Sequence, residues 1–104
     1  MEESNIIYID QSVTREQDGR ISSVLNVNKA NLTTRYYDNA SFLFVAVRAL
    51  LNIVNTLPEH SKVELKTNIY NMSDILNPSY EMAMKTRYLL LETIEKKSIS
   101  IQLI

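Results

Sequence analysis

The spacing of hydrophobic and polar positions changes several times along this chain, and each change marks an element. Residues 5–10, "NIIYID", form an isoleucine-rich apolar run, the pattern of a strand buried on both faces. The charged stretch "REQDGR", 15–20, holds an Asp-Gly pair, which is a turn signal. "ISSVLNV" then alternates through Ile21, Ser23, Leu25 and Val27 and predicts the second strand of a hairpin. After "NKAN" comes "LTTRYY", dense in β-branched and aromatic residues, a third strand. Three strands joined by short connections predict an antiparallel meander.

From Asp38 the period lengthens. "DNASFLFVAVRALLNIVNT" contains no Gly or Pro and is too long for a strand. Asp38 or Asn39 can cap it, because a short acceptor satisfies a free amide of the first turn. Phe42, Val45, Ala46, Ala49, Leu50 and Ile53 recur at helical spacing. Leu43, Phe44, Val47, Leu51 and Val54 fill much of the other side, so this helix needs cover on two faces. Pro58 ends the segment, and "KVELKTN", 62–68, alternates as a fourth strand. "YNMSDILN" reads as a short helical turn stopped by Pro78. "SYEMAMKTRYLLLETIEKK" predicts a second long helix, with Tyr80, Met84, Tyr88 and Leu91 along one stripe. Its two C-terminal lysines suit the macrodipole. "SISIQLI" alternates as a fifth strand. The expected order is β-β-β-α-β-α-β over a single domain, 1–104. That is an α/β (α+β) fold, with helices packed on the faces of a mixed five-stranded sheet.

Composition narrows the function classes. The 104 residues are 45% hydrophobic, enough for a core without staples. No cysteine is present, which removes disulfides and thiolate metal sites. Eleven basic against twelve acidic residues leave a net charge of −1, so nucleic acid is not the favoured partner. No apolar run approaches the roughly 18 residues that span a bilayer. The acidic start "MEESN" lacks the features of a secretion signal. The expected location is cytoplasmic, with no membrane partner. Ten asparagines and a single glycine, Gly19, suit an AT-rich coding sequence and suggest a phage or other viral accessory protein, or a low-GC bacterium.

Candidate chemistry is sparse. Asp10 closes the first apolar run, either as a metal ligand at the mouth of a sheet or as a turn residue bonding nearby amides. Ser12 beside it has no partner base, since the one histidine, His60, lies in the loop-like "PEHSK". Asp38, Glu59 and Asp74 have no spacing that demands a shared site. Tyr36, Tyr37, Tyr80 and Tyr88 could stack on bases, but without a basic stripe packing explains them better. Arg48, Lys62, Lys66, Lys96 and Lys97 are scattered, as solvated charges are.

The order of elements and three local motifs resemble the ribonuclease H-like family. Its first strand ends in a pattern like "Y-T-D-G-S", where this chain has "Y-I-D-Q-S", 8–12. The family's passage from third strand to helix reads "T-N-N-R-x-E-L" and later "R-A-L"; here stand "Y-D-N-A-S-F-L", 37–43, and "V-R-A-L", 47–50. Its fourth strand ends in "T-D-S" before a tyrosine, and here one reads "T-N-I-Y", 67–70. The resemblance covers nearly the whole chain. It implies phosphoryl chemistry by carboxylates around two divalent metals. It also implies that the machinery is lost. Asp10 matches the first ligand, but Phe42 stands at the helix glutamate and Asn68 at the fourth-strand aspartate. The family's last carboxylate follows the fifth strand, beyond Ile104, where this sequence stops.

The expectation is therefore a non-catalytic module that binds a protein partner, with no metal and no cofactor. Asp10, Phe42 and Asn68 are vestigial site positions, and Phe42 is expected in the core. The alternatives are a nucleic-acid-binding protein and a nuclease with an atypical or dimer-completed site. A two-fold homodimer is expected, with Leu51, Val54 and Leu103 as its interface, because the first helix is apolar nearly all round and the last strand leaves an edge.

Overall fold

The computed structural model describes residues 6–104, leaving aside the side chains of residues 32 and 33. Strands β1 (Ile6–Arg15), β2 (Ile21–Val27) and β3 (Ala30–Tyr37) come first. Helix α1 (Phe42–Val54), strand β4 (Lys62–Thr67), the single turn α2 (Met72–Ile75), helix α3 (Lys85–Lys96) and strand β5 (Ser100–Leu103) follow. The sheet has five strands in the order β3-β2-β1-β4-β5. β1 pairs antiparallel with β2, and β2 with β3, while β4 pairs parallel with both β1 and β5. The fold is thus mixed α+β, and β1 is the hinge line between a meander and a parallel half. No described helix is long and apolar enough to cross a membrane.

Both hairpin turns use left-handed backbone. Gly19 has φ 89° after β1, and Asn28 and Lys29 have φ 52° and 72° between β2 and β3. Two successive positive φ values match the right-handed twist of the flanking strands. In the first turn, Asp18 accepts the Arg20 amide at 3.1 Å and its Nε at 2.7 Å. These bonds hold the Asp18 carboxyl below its usual range.

β1 departs from expectation in two ways. It continues five residues past Asp10, and it is buried on one face only. Ile9, Gln11 and Val13 point inward, while Tyr8, Asp10, Ser12 and Thr14 are exposed. Adjacent side chains on a strand take opposite faces. The inward set packs with Leu25, Val45, Leu50, Leu65, Met72, Ile75 and Leu90 in one core.

α1 is capped by Ser41, whose Oγ accepts the Phe44 amide at 3.1 Å. This replaces the expected cap at Asp38 or Asn39. Asn39, at φ 54°, turns the chain out of β3 instead. The helix buries Val45, Ala46, Val47, Ala49, Leu50, Leu51 and Val54, the two-sided burial that its pattern predicts. Sheet and α3 supply the cover.

The second long helix begins later than its periodicity suggests. Residues 81–84 carry no regular structure, and α3 starts at Lys85. Asn77 turns the chain, its Oδ1 accepting the Ser79 amide and its carbonyl the Tyr80 amide, both at 3.0 Å. Of the expected stripe, Tyr80 and Tyr88 are exposed while Met84 and Leu91 are half-buried, and the fully buried residues of α3 are Arg87 and Leu90. The Arg87 guanidinium donates to the carbonyls of Ile75, Asn77, Tyr80 and Met82 at 2.7–3.1 Å. Lys97 is not a solvated charge. Its Nζ donates to the Val54, Asn55 and Leu57 carbonyls at 3.2, 2.7 and 2.8 Å and closes the C-terminal end of α1.

Candidate functional site

The ladder between β1 and β4 ends at the pair Gln11↔Thr67, yet β1 runs on to Arg15. The gap beyond is closed by a side chain. Asn68 Oδ1 accepts the Val13 amide at 3.0 Å, and Asn68 Nδ2 donates to the Val13 carbonyl at 2.7 Å. Behind it lies a buried polar relay. Gln11 Nε2 donates to the Ala46 carbonyl inside α1 at 2.9 Å. Thr67 Oγ1 donates to Gln11 Oε1 at 2.8 Å and accepts the Ile69 amide at 3.2 Å. Strand ends, helix and following loop are thereby fixed to one another.

A cleft of about 320 Å³ opens beside this junction, lined by Val13, Phe42, Leu43, Asn68, Ile69, Tyr70 and Asn71. Val13 and Ile69 are buried, and Phe42 is 37% exposed. Tyr70 is almost fully exposed, at 97%. The Arg15 guanidinium lies 5.2 Å from the centroid of the Phe42 ring, within cation–π range. Asn71 Oδ1 is buried without a hydrogen-bond partner among the described residues. No carboxylate, amine or imidazole lines the cleft. Its chemistry suits burial of an apolar group rather than proton transfer near neutral pH.

The sequence-designated positions separate here. Phe42 and Asn68 share the cleft, but Asp10 does not. Asp10 sits in mid-strand on the open face, beside a separate hollow with Tyr8, Asn26, Lys29, Lys66 and Ile104. Its carboxylate makes no hydrogen bond or ion pair with any described residue, and its backbone lies inside the ladders to β2 and β4, so it is neither a strand-end cap nor a turn residue. Its inward neighbour is Gln11, which is neutral and already spent on Ala46 and Thr67. Phe42 is a cleft wall and not a core residue. Leu51 and Val54 are buried inside the subunit, because α1 presents them to its own sheet and to α3. They therefore cannot face another copy. Leu103, at 36% exposure, remains accessible on the edge strand β5. Among the described residues no group of three or more His, Asp or Glu side chains could hold a metal ion. His60 and Ser12 are exposed and far apart in the topology.

Arg15 and Asn71 were not singled out from the sequence, and Gln11 and Tyr70 stood only inside the motifs of the resemblance, with no role of their own. For Gln11 and Arg15 a signal existed, since both continue the inward set Ile9 and Val13 by twos. Tyr70 and Asn71 depend on where a loop lands. No family model matches this chain, and no curated protein matches it.

Proposed function

We propose that this chain is a non-catalytic binding module of ribonuclease H-like architecture, which holds an apolar side chain of a protein partner in the cleft beside Phe42. The element order and the mixed five-stranded sheet support the architecture. One observation carries the function. The two ligand positions that do meet, Phe42 and Asn68, form an apolar wall and a backbone clamp, while Asp10 projects from the opposite face. A pair of divalent metals requires several charged oxygens converging on one point. An exposed aromatic rim around a concave apolar floor is the usual make-up of a recognition site.

The open face offers little to nucleic acid. Lys62 and Lys66 are interleaved with Asp10 and Glu64 across β1 and β4, which leaves phosphates no positive track. A cysteine-free chain fits a cytoplasmic setting, in keeping with a viral accessory role. Pairing of two copies is proposed only through the β5 edge and Leu103.

The test is a selection of displayed random peptides, followed by competition. Wild-type protein is expected to yield apolar binders that a Tyr70→Asp variant loses while melting normally, since Tyr70 is almost fully exposed. The same preparation is expected not to cut RNA–DNA hybrid with Mg²⁺ or Mn²⁺. Cleavage abolished by Asp10→Ala would sink the proposal.

A further inference from the structure

Among the described residues the lining of the cleft carries no charge, and Arg15 stands beside it over Phe42. Val13 and Arg15 lie two apart on the same face of β1, so the strand carries the guanidinium to the lip of the apolar floor. There it packs over Phe42 at 5.2 Å. Its one hydrogen bond among the described residues is a long one, from Nη1 to the Gly19 carbonyl at 3.4 Å. The acid nearest in the turn that could claim it, Asp18, is held by Arg20 at 2.7 Å, and Glu16 is solvent-exposed without an ion pair. The first turn of α1, which forms the adjoining wall, contains no acidic residue. An apolar floor with one cation at its lip, and no anion of its own, complements a particular partner.

Resting on the binding role proposed above, we infer that the cleft recognises a peptide segment in which a large apolar residue is followed or preceded by an acidic one. The apolar side chain lies between Phe42, Leu43 and Ile69, and the carboxylate reaches Arg15. The Phe42 ring, 5.2 Å from the guanidinium, attracts the cation and biases it toward the cleft. The carboxylate therefore meets an exposed guanidinium already placed at the lip, whose planar fork suits a carboxylate.

Three labelled, end-blocked hexapeptides test this by fluorescence polarisation, with central pairs Leu-Asp, Leu-Lys and Ala-Asp. Leu-Asp is expected to bind about fivefold tighter than Leu-Lys, the scale of an exposed ion pair. It is expected to bind at least about tenfold tighter than Ala-Asp, which lacks the buried methyl groups. In Arg15→Glu the order of Leu-Asp and Leu-Lys should invert, and in Arg15→Gln the two should converge. Arg15 is exposed, so both variants should keep the wild-type melting curve, which circular dichroism checks. Equal binding of Leu-Asp and Leu-Lys by wild type, or an unchanged order in Arg15→Glu, overturns the acidic specificity and leaves the apolar cleft standing. Failure of both leucine peptides to bind at millimolar concentration overturns the cleft itself and this inference with it.

Discussion

Asn68 holds Val13 by both of its backbone groups, accepting the amide at 3.0 Å and donating to the carbonyl at 2.7 Å. The side-chain amide copies a peptide group and adds one rung to the parallel ladder, just where β4 ends and β1 continues. This explains an asparagine at a position where the resemblance implies a carboxylate. An aspartate can accept from the amide but offers only lone pairs to the carbonyl.

The first prediction follows. Asn68→Asp should lower stability at neutral pH by about 1 kcal/mol, the net worth of a hydrogen bond, because Asn68 is exposed and its bond to the Val13 carbonyl is only part-buried. The deficit should narrow in acid, where a protonated carboxyl can donate to the Val13 carbonyl. Urea midpoints at pH 7 and pH 4 measure both. An aspartate variant as stable as wild type at pH 7 would show that the clamp contributes nothing.

Phe42 and Leu50 share the apolar stripe that the sequence shows, yet only Leu50 is enclosed. Leu50→Ala should cost about 2–5 kcal/mol, as deletions in a tight core do. Phe42→Ala should cost about 1 kcal/mol, since its ring is more than a third exposed and most of its surroundings can relax. Denaturant melts of the two variants decide the point. Equal losses would return Phe42 to the core.

The strands and α1 were legible because alternation and helical spacing report burial directly. Ile21 and Leu25, and Val45 to Leu50, needed nothing beyond their own periods. The site was less legible because its geometry rests on parity and on side chains that bond backbone. Asp10 and Gln11 differ by one position, and that one step moves a side chain through the sheet. The apolar run up to Ile9 reads as buried on both faces, so the parity shows only further on, where Val13 continues Ile9 by twos and sets Gln11 inward. The start of α3 was hidden for a related reason. Tyr80 and Met84 satisfy a helical spacing, but Arg87 takes the carbonyls of Tyr80 and Met82, bonds that a helix would give to its own amides.

Leu51 and Leu103 separate core from edge. Leu51→Asp should unfold the chain, because a carboxylate would enter the α1 side of the core without a partner. Leu103→Asp should shift stability by no more than about 0.5 kcal/mol, as surface changes do. If copies pair through β5, sedimentation of wild type should show a species heavier than the 12.0 kDa chain that Leu103→Asp removes. A single 12.0 kDa species across micromolar concentrations would dismiss that pairing.

Adjacent lysines at the end of α3 should behave differently. Lys97→Met removes three charge-assisted bonds to the carbonyls at the C-terminal end of α1 and should cost about 1–2 kcal/mol. Lys96→Met removes an exposed ion pair to Glu92 at 3.4 Å, which should be worth no more than about 0.5 kcal/mol. Thermal melts of the pair are a direct comparison. Equal effects would mean that the Lys97 cap is not formed in solution.

Arg87 is the strongest test of how residues 76–84 are held. Its side chain is 1% exposed and faces four carbonyls from Ile75, Asn77, Tyr80 and Met82, with no carboxylate among its hydrogen-bond partners. Four diverging acceptors suit a planar fork with donors on three nitrogens, and one ammonium cannot reach them together. Arg87→Lys therefore keeps the charge and loses the geometry. Arg87→Met keeps the packing and removes the charge. If the bonds are what matters, both should cost about 2–4 kcal/mol, since either leaves several carbonyls to find water. The loss should begin locally. Residues 76–84 should be cleaved by protease well before the sheet unfolds, and amides in the first turn of α3 should exchange faster than those near Leu90. Burying a cation without a counter-charge is itself costly, so the competing outcome is definite. If Arg87→Met is as stable as wild type and its 76–84 segment resists protease equally, apolar packing holds this segment and the guanidinium bonds are incidental.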